Sequence, residues 1–309
     1  MEEKKIDIIC VGELLIDMIG DEVSENLAQT KSFSKFVGGS PTNVAKNMAQ
    51  LGFKTVLVAS IGNDGLGDFI NDNLSAINLN TQYLRRKKDL ATSIILVSRT
   101  LGTPEFMPFR QADFSIEPNQ IPSDLLGDSK IFHTTCFALS KQPAQDTILQ
   151  KAKEAFEKGC QLSIDLNYAQ KIWGDTEVLP ILESYCQYKP FVKLSDDDAF
   201  RIFKKQLSDK EILDYFLDLG AKLVCLTKGK EGAYILKSGQ EIIFQQAPKV
   251  VKIADATGAG DAFWSGFLAG YLKGLLVREC LKTANNLVAI KIQYVGGLPP
   301  DISLKQIMN

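Results

Sequence analysis

This chain has few of the residues that several common kinds of functional site require. Its 309 residues include one histidine, His133, and six cysteines that are scattered without a Cys-x-x-Cys pair. Clusters of His and Cys that would bind a metal are therefore absent from the sequence, and a Ser-His-Asp triad would have to use His133. Because His133 lies in an apolar run, we expect it to be a strand residue and not a catalytic base.

The charge balance and the hydropathy pattern exclude further classes of protein. Lys and Arg number 35 against 37 Asp and Glu, and the formal net charge of −2 offers no broad basic surface for nucleic acid. No apolar stretch is long enough for a membrane span or for the core of a signal peptide. Several cysteines lie in apolar runs, as reduced core thiols do. We therefore expect a cytoplasmic protein that acts on small molecules, without nucleic acid or membrane partners.

Strand-like apolar runs alternate with helical stretches along the chain. The predicted strands are 6–11, 54–61, 130–134, 161–165, 191–194 and 223–227, and helices between them include 67–76, 145–158 and 210–219. This alternation predicts one α/β domain over residues 1–309, a doubly wound, mostly parallel sheet with helices on both faces. Segments 13–36 and 92–113, the latter turning near Gly102, break the alternation and predict strands outside the main sheet.

Segment 255–261, Asp-Ala-Thr-Gly-Ala-Gly-Asp, places flexible backbone at a predicted helix start and ends on a carboxylate. The backbone N–H groups of Gly258, Ala259 and Gly260, with the helix dipole, predict an anion site of the kind that binds phosphate. A carboxylate beside phosphate oxygens suits a base that takes a proton from an attacking hydroxyl, which assigns that role to Asp261. The alternatives are a tight turn with Asp261 as a helix cap and a dinucleotide fingerprint, which lacks its third glycine here.

Segment 38–52 begins with the pair Gly38 and Gly39 and continues into a predicted helix that ends on Gly52. Asn43 falls in the first turn, where its amide can both donate and accept, as recognition of a polyol demands. Together with segment 255–263, this stretch resembles the two signatures of the PfkB (ribokinase-like) carbohydrate kinases. The order and separation of the two segments also fit, and the similarity covers essentially the whole chain.

The resemblance implies an ATP-dependent sugar kinase of the ribokinase-like fold, most similar to fructokinase, with segments 13–36 and 92–113 as a small β lid over the sugar. Asp261 would be the general base on a primary hydroxyl, and Mg²⁺ would bridge the nucleotide phosphates. D-fructose is the first expectation for the substrate. Ribose, a nucleoside or 2-keto-3-deoxygluconate are alternatives, and Ala169 argues against the last because family members that bind sugar acids often place an arginine there. A sugar-binding sensor without turnover is a further alternative.

The resemblance also assigns individual residues by their positions in the two signatures and in the loops between them. The expected sugar contacts are Asp17, Gly38, Gly39, Asn43 and Arg110. Without the resemblance, Asp17 would be an exposed acid at a strand end and Arg110 a solvated hairpin charge. The expected nucleotide contacts are Asn167, Ser195, Thr227, Lys228, Gly229, Gly232 and Asn285.

Two cation sites and an assembly state complete the expectations that follow from the resemblance. Segment 195–198, Ser-Asp-Asp-Asp, replaces the family's Asn-x-x-Glu magnesium motif and gives Asp198 an indirect role at Mg²⁺. Asp255 and Thr257 retain the oxygens of a monovalent-cation site, with K⁺ as the expected ion. Apolar lid residues and exposed strand edges predict a homodimer that pairs two lids.

Overall fold

The computed structural model of this protein describes residues 4–100, 105–250 and 253–308. The strands are β1 (Ile6–Val11), β2 (Leu15–Val23), β3 (Phe33–Gly38), β4 (Thr55–Gly62), β5 (Asn80–Lys87), β6 (Ile94–Arg99), β7 (Phe106–Phe109), β8 (Ser129–Thr135), β9 (Gln161–Asp165), β10 (Phe191–Ser195), β11 (Leu223–Thr227), β12 (Gly232–Lys237) and β13 (Ile243–Gln246). The helices are α1 (Ser40–Gln50), α2 (Gly65–Ser75), α3 (Ser123–Gly127), α4 (Ala144–Glu157), α5 (Gln170–Trp173), α6 (Leu179–Cys186), α7 (Asp196–Phe203), α8 (Asp209–Asp218), α9 (Ala259–Leu272), α10 (Val277–Lys291) and α11 (Leu304–Met308).

The main sheet has nine strands within the described residues, in the order β13-β12-β11-β10-β9-β8-β1-β4-β5. All neighbours from β11 to β5 pair in parallel, which confirms the predicted fold class. The hairpin β12–β13 pairs antiparallel to β11 at one edge and was not predicted. Ala233 and Ile235 of β12 pack into one core layer and Leu236 into the other, so β12 is buried on both faces, whereas β13 at the edge is only partly buried.

The core lies in two layers, one on each face of the main sheet. Ile9 and Val11 of β1 pack into one layer, whereas Ile8 and Cys10 pack into the other. Successive side chains of a strand point to opposite faces, so a strand buried on both faces is mostly apolar; β4 is buried throughout, and Thr55 and Ser60 are its polar residues. The six cysteines are all buried free thiols, in agreement with the core positions expected from the sequence.

Helix boundaries differ from the predicted ones by one or two residues, and capping side chains set the starts of α2 and α8. The Asp64 carboxylate accepts the backbone N–H groups of Leu66 and Gly67, which starts α2 two residues before the predicted position. Ser208 and Glu211 form a capping box at the start of α8. None of the helices among the described residues has the length and apolar character needed to cross a membrane.

Four strands outside the main sheet form a small sheet in the order β3-β2-β6-β7. They come from the two segments that broke the predicted alternation, although β3 continues two residues further, to Gly38. The turn predicted near Gly102 lies outside the described residues. Strand β3 leads directly into α1, so the small sheet is joined to the first glycine-containing segment.

Candidate active site

Asp261 lies in the first turn of the buried helix α9. Gly258 precedes this helix with a left-handed backbone (φ 73°), a conformation that glycine adopts without strain. Asp261 is 8% exposed, whereas Thr257 and Gly260 are exposed. The Ala259 N–H donates to the Ala256 carbonyl at 3.1 Å and is already engaged. The N–H groups of Gly258 and Gly260 lie at the start of the helix beside the buried carboxylate, and a helix N-terminus favours an anion there.

Two side chains of α1 bind the Asp261 carboxylate. The Ser40 hydroxyl donates to Oδ1 at 2.6 Å and the Asn43 amide donates to Oδ2 at 2.8 Å. One turn further along both helices, the Asn47 amide donates to the Ser265 hydroxyl at 3.2 Å. The two glycine-containing segments, far apart in sequence, thus meet at one carboxylate.

The environment of Asp261 favours a base that titrates above the usual range of a carboxyl. Burial raises the pKa of Asp261, and the hydrogen bonds from Ser40 and Asn43 together with the charges of Lys193 and Lys291 partly offset this rise. A base is most effective when its pKa approaches the working pH. The carboxylate therefore suits proton abstraction from a hydroxyl.

Asp17, on β2 of the small sheet, shares this cleft with Asp261. Burial, followed by the nearby Asp261 charge, raises the pKa of Asp17 to about 7, while Lys46 opposes the rise. A Cβ on Gly38 would lie 2.1 Å from the Asp17 carboxylate, so any side chain there would displace that carboxylate. Gly39 has a φ of 103° and would place a Cβ 2.2 Å from the Glu13 carbonyl oxygen. The expected sugar contacts other than Arg110 are thus brought to one cleft.

Arg110 is almost fully buried, with 2% of its side chain exposed. Its Nε and Nη2 donate to Asp113 at 2.8 and 2.6 Å, and its Nη1 donates to the Ser140 hydroxyl at 2.6 Å. The guanidinium also lies 4.1 Å from the centre of the Phe137 ring. Most N–H donors of Arg110 are therefore bound to protein groups, and contact of Arg110 with a sugar stays a prediction.

Lys193 is a buried cation at the site that the sequence analysis missed. Its Nζ donates to the Asp165 carboxylate at 2.7 Å and would lie 2.9 Å from a Cβ on Gly260. Burial opposes its charge, but the carboxylates of Asp165 and Asp198 outweigh this and raise the pKa of Lys193. A permanent positive charge thus lies beside the N-terminus of α9.

Glu13, also missed as a site residue, connects α1 to the main sheet. Its carboxyl accepts the Ser40 N–H at 3.0 Å and the Thr135 hydroxyl at 2.7 Å. Burial raises the pKa of Glu13 to about 8, and the bonds from Thr135 and Ser40 offset part of this rise. Glu13 therefore fixes the position from which Ser40 reaches Asp261.

Comparison with known proteins identifies the family of this chain. Residues 5–302 match the family model described as pfkB family carbohydrate kinase. An ATP-dependent 6-phosphofructokinase of Thermoanaerobacterium thermosaccharolyticum is 36% identical over 304 residues, which cover 97% of this chain and 93% of that protein. The chain belongs to the pfkB family of carbohydrate kinases. It is therefore a sugar kinase, whose ligands are ATP and a sugar.

Solved structures of relatives agree with this assignment. The fructokinase of Halothermothrix orenii is 35% identical and superimposes with a TM-score of 0.80, over 91% of this chain and 98% of that one. A sugar kinase of Pyrococcus horikoshii in complex with ATP is 28% identical, with a TM-score of 0.81 over 94% and 93% of the two chains. The predicted resemblance to the PfkB kinases is thus confirmed.

In this kinase, Asp198 organises the loop that follows β9. Its Oδ1 accepts the Tyr168 N–H at 2.9 Å, and its Oδ2 accepts the N–H and the hydroxyl of Ser195 at 2.9 and 2.7 Å. Neighbouring Asn167 is exposed, with a positive φ of 32°. No group of three or more His, Cys, Asp or Glu among the described residues could hold a metal ion, so an indirect role of Asp198 at Mg²⁺ stays a prediction.

The other expected nucleotide contacts lie in the loop after β11 and on α10. The Thr227 hydroxyl donates to the Leu194 carbonyl at 3.3 Å, and the Lys228 ammonium donates to Asp209 at 2.9 Å. Gly229 begins a short helical turn, and Gly232 turns into β12 where a Cβ would lie 2.2 Å from a backbone oxygen. Asn285 donates to the Gln246 carbonyl at 3.0 Å and so ties α10 to β13. Their contact with the nucleotide stays a prediction.

The loop before α9 is tied to Asp255. Asp255 Oδ1 accepts the Thr257 N–H at 2.8 Å, and Asp255 Oδ2 accepts the Gly296 N–H at 3.1 Å. Burial raises the pKa of Asp255, but these hydrogen bonds and the charge of Lys291 outweigh it and lower the pKa. The carboxylate is therefore ionised and already engaged by the protein.

His133 is a strand residue, as expected. It is fully buried in β8, its Nδ1 lies 3.0 Å from the Ser163 hydroxyl, and burial lowers its pKa to about 3. A histidine that stays neutral inside the sheet is not a base at the cleft.

The residues that the sequence analysis missed left a partial signal. Lys193 and Lys291 each interrupt an apolar run, and lysine is rarely fully buried unless it is paired. Such a lysine predicts a buried carboxylate partner, but the sequence does not say which one. Ser40 left no comparable signal, because serine is common at helix starts.

Proposed function

We propose that this kinase transfers the γ-phosphoryl group of ATP to a primary hydroxyl of D-fructose and forms fructose 6-phosphate. The observation that carries the proposal is the buried Asp261 carboxylate, held by Ser40 and Asn43 at the open N-terminus of α9. Asp261 takes the proton of the attacking hydroxyl, because it is the carboxylate next to the predicted phosphate site.

The cleft then works mainly by placement and by charge. The N–H groups of Gly258 and Gly260 bind oxygens of the transferring phosphoryl group, whereas the Ala259 N–H, also expected there, is given to the Ala256 carbonyl. The Lys193 ammonium beside Gly260 adds positive charge. Asp17, on the small sheet, accepts hydrogen bonds from sugar hydroxyls. The small sheet then covers the bound sugar as a lid and excludes water from it. These roles require a sugar bound between β2 and α9.

The residues around Lys193 suit a magnesium ion that arrives with the nucleotide. Asp165 Oδ1 is buried without a hydrogen-bond partner in the described structure and is free to accept a hydrogen bond from a water molecule of the ion. Carboxylate oxygens and water are the ligands that Mg²⁺ prefers. The bound ion would neutralise charge on the phosphates, while Asp198 keeps the adjoining loop in place.

Fructose 6-phosphate is a second candidate acceptor. The relative that is 36% identical is named a 6-phosphofructokinase, and Lys46 places a half-buried cation near Asp17 and Asp261. Against this candidate, Arg110 already gives three of its five N–H donors to Asp113 and Ser140, and the Asp113 carboxylate balances its charge. A neutral sugar is therefore the first choice, and the fructokinase relative at 35% identity supports it.

Competition kinetics test the proposal. The purified kinase is given ATP, Mg²⁺ and one acceptor at a time, namely fructose, fructose 6-phosphate, ribose, a nucleoside or 2-keto-3-deoxygluconate, and ADP release is measured. We expect the highest kcat/KM with fructose. A higher kcat/KM for another acceptor would overturn the fructose assignment, and no turnover with any acceptor would overturn Asp261-dependent catalysis.

A further inference from the structure

A buried lysine fixes the loop that precedes the predicted phosphate site. Lys291 lies in the last turn of α10 with 4% of its side chain exposed. Its Nζ donates to the backbone oxygen of Asp255 at 3.2 Å and to Asp255 Oδ2 at 3.2 Å. Its Cε lies 3.8 Å from where a Cβ of Gly258 would be, so the ammonium is next to the start of the glycine turn.

The position of the ammonium is favourable for a monovalent cation of any kind. The carbonyl groups at the end of α10 carry the negative end of the helix dipole, which favours a cation there. The Ile292 carbonyl accepts the backbone N–H groups of Ala254 and Asp255 at 2.8 and 3.2 Å, which fastens the loop to the same helix end. A carboxylate, a backbone oxygen and a helix end thus surround Lys291.

These residues do not fit the potassium ion that the sequence led us to expect at Asp255 and Thr257. A potassium ion bound through Asp255 would compete for the same oxygens as the Lys291 ammonium. The two positive charges would also repel each other in a largely buried place, where screening by solvent is weak. The oxygens of the Asp255 carboxylate already accept hydrogen bonds from Thr257 and Gly296. Its single negative charge does not balance both the Lys291 ammonium and a potassium ion.

We propose that the Lys291 ammonium replaces a monovalent cation in this kinase, so that catalysis needs no added potassium. Lys291 is a positioning residue: it holds Asp255, and Asp255 holds the turn that presents the N–H groups of Gly258 and Gly260. An ammonium and a potassium ion carry the same charge and both bind oxygens, so one can take the structural place of the other. The effect on turnover rests on the proposed phosphoryl transfer.

The test compares cations at constant ionic strength. Wild type, Lys291→Met and the exposed control Lys305→Met are measured in potassium, ammonium, sodium or tetramethylammonium chloride. One readout is the kinase rate on the best acceptor. The other is the melting temperature without substrates, which does not depend on turnover.

We expect wild type and Lys305→Met to have the same rate and melting temperature in every salt. Lys291→Met should lose activity on the order of 10²-fold in tetramethylammonium chloride, because the anion-binding backbone is misplaced. Potassium or ammonium should restore part of its rate and raise its melting temperature, since a free cation can then enter beside Asp255.

Two results would overturn the proposal. One is a wild-type kinase that potassium accelerates or stabilises more than sodium does. The other is a Lys291→Met variant whose rate and melting temperature respond to no cation. If that variant does not fold in any salt, the wild-type comparison alone decides. Absence of turnover on every sugar would count against the proposed function, whereas the melting measurement would still test Lys291.

Discussion

Replacement of Asp261 by asparagine gives the sharpest test of the proposed catalytic base. The carboxylate accepts Ser40 at Oδ1 and Asn43 at Oδ2, at 2.6 and 2.8 Å. Asparagine keeps the shape and the acceptor for Ser40, but its amide nitrogen faces the amide of Asn43. The Asn43 side chain can restore the pair by turning its oxygen toward the new amide, so the local packing survives while the basic oxygen is lost.

The expected loss of rate follows from the role of the base. General-base catalysis contributes about 10²–10⁴-fold, or about 3–5 kcal/mol of barrier, so kcat should fall by that factor. Stability should change in the other direction. Burial raises the pKa of Asp261, so its ionised form costs stability above that pKa, and a neutral amide removes this cost. The melting temperature at neutral pH should therefore stay the same or rise.

The assay measures kcat and KM for the sugar and for ATP, together with nucleotide affinity by calorimetry and the melting temperature. Asp175→Asn, at an exposed loop position, makes the same chemical change away from the cleft and should behave as wild type. Retention of wild-type kcat by Asp261→Asn would refute the assignment of the base. A fall in melting temperature that matches the loss of activity would show that the change had acted through folding.

Three further predictions concern other parts of the molecule. Asp17→Ala should raise the KM for the sugar by the equivalent of about 1–3 kcal/mol without changing the KM for ATP. The wild-type KM for the sugar should rise as the pH falls through about 7, because the Asp17 carboxyl becomes protonated. A KM for the sugar that does not change with pH would contradict this. Lys193→Met should lower kcat and stability, because it leaves the Asp165 carboxylate buried without its partner. Adding Asp165→Asn removes that unpaired charge and should restore the melting temperature without restoring kcat. Recovery of kcat would limit Lys193 to a structural role. Two apolar side chains on the small sheet, Met107 and Phe109, are 46% and 53% exposed. We propose that this sheet forms a homodimer interface. Light scattering at micromolar concentration that gives the monomer mass of 34.1 kDa would exclude the dimer.

The fold was largely predictable because its strongest signals are local. A strand buried on both faces is usually rich in apolar residues, and β1 and β11 were located to the residue from such runs. Strand β9 was also located to the residue, although only Leu162 and Ile164 of its five residues are apolar. The hairpin β12–β13 was missed, although β12 contains the apolar run 233–236. Helix ends shifted where a side chain such as Asp64 caps the first turn.

The candidate site was predictable only where the residues form local patterns. Gly258, Gly260 and Asp261 form one short pattern, and Asn43 follows another, so both were found in the sequence. Ser40 and Asp261 are 221 positions apart, and no periodicity reports that they share a hydrogen bond. Lys193 and Asp165 are 28 positions apart, on adjacent parallel strands, so only the order of strands in the sheet brings them together.

The sequence by itself determined the α/β class and the helix starts that carry glycine, and it predicted a carboxylate beside a phosphate site, because each depends on neighbouring residues. Only the tertiary structure decided which charges face one another. The Asp255 oxygens are an example: a potassium ion was predicted at them, and the fold places the Lys291 ammonium against them. Electrostatic partners depend on distances of a few ångströms between distant parts of the chain, and chain packing sets those distances.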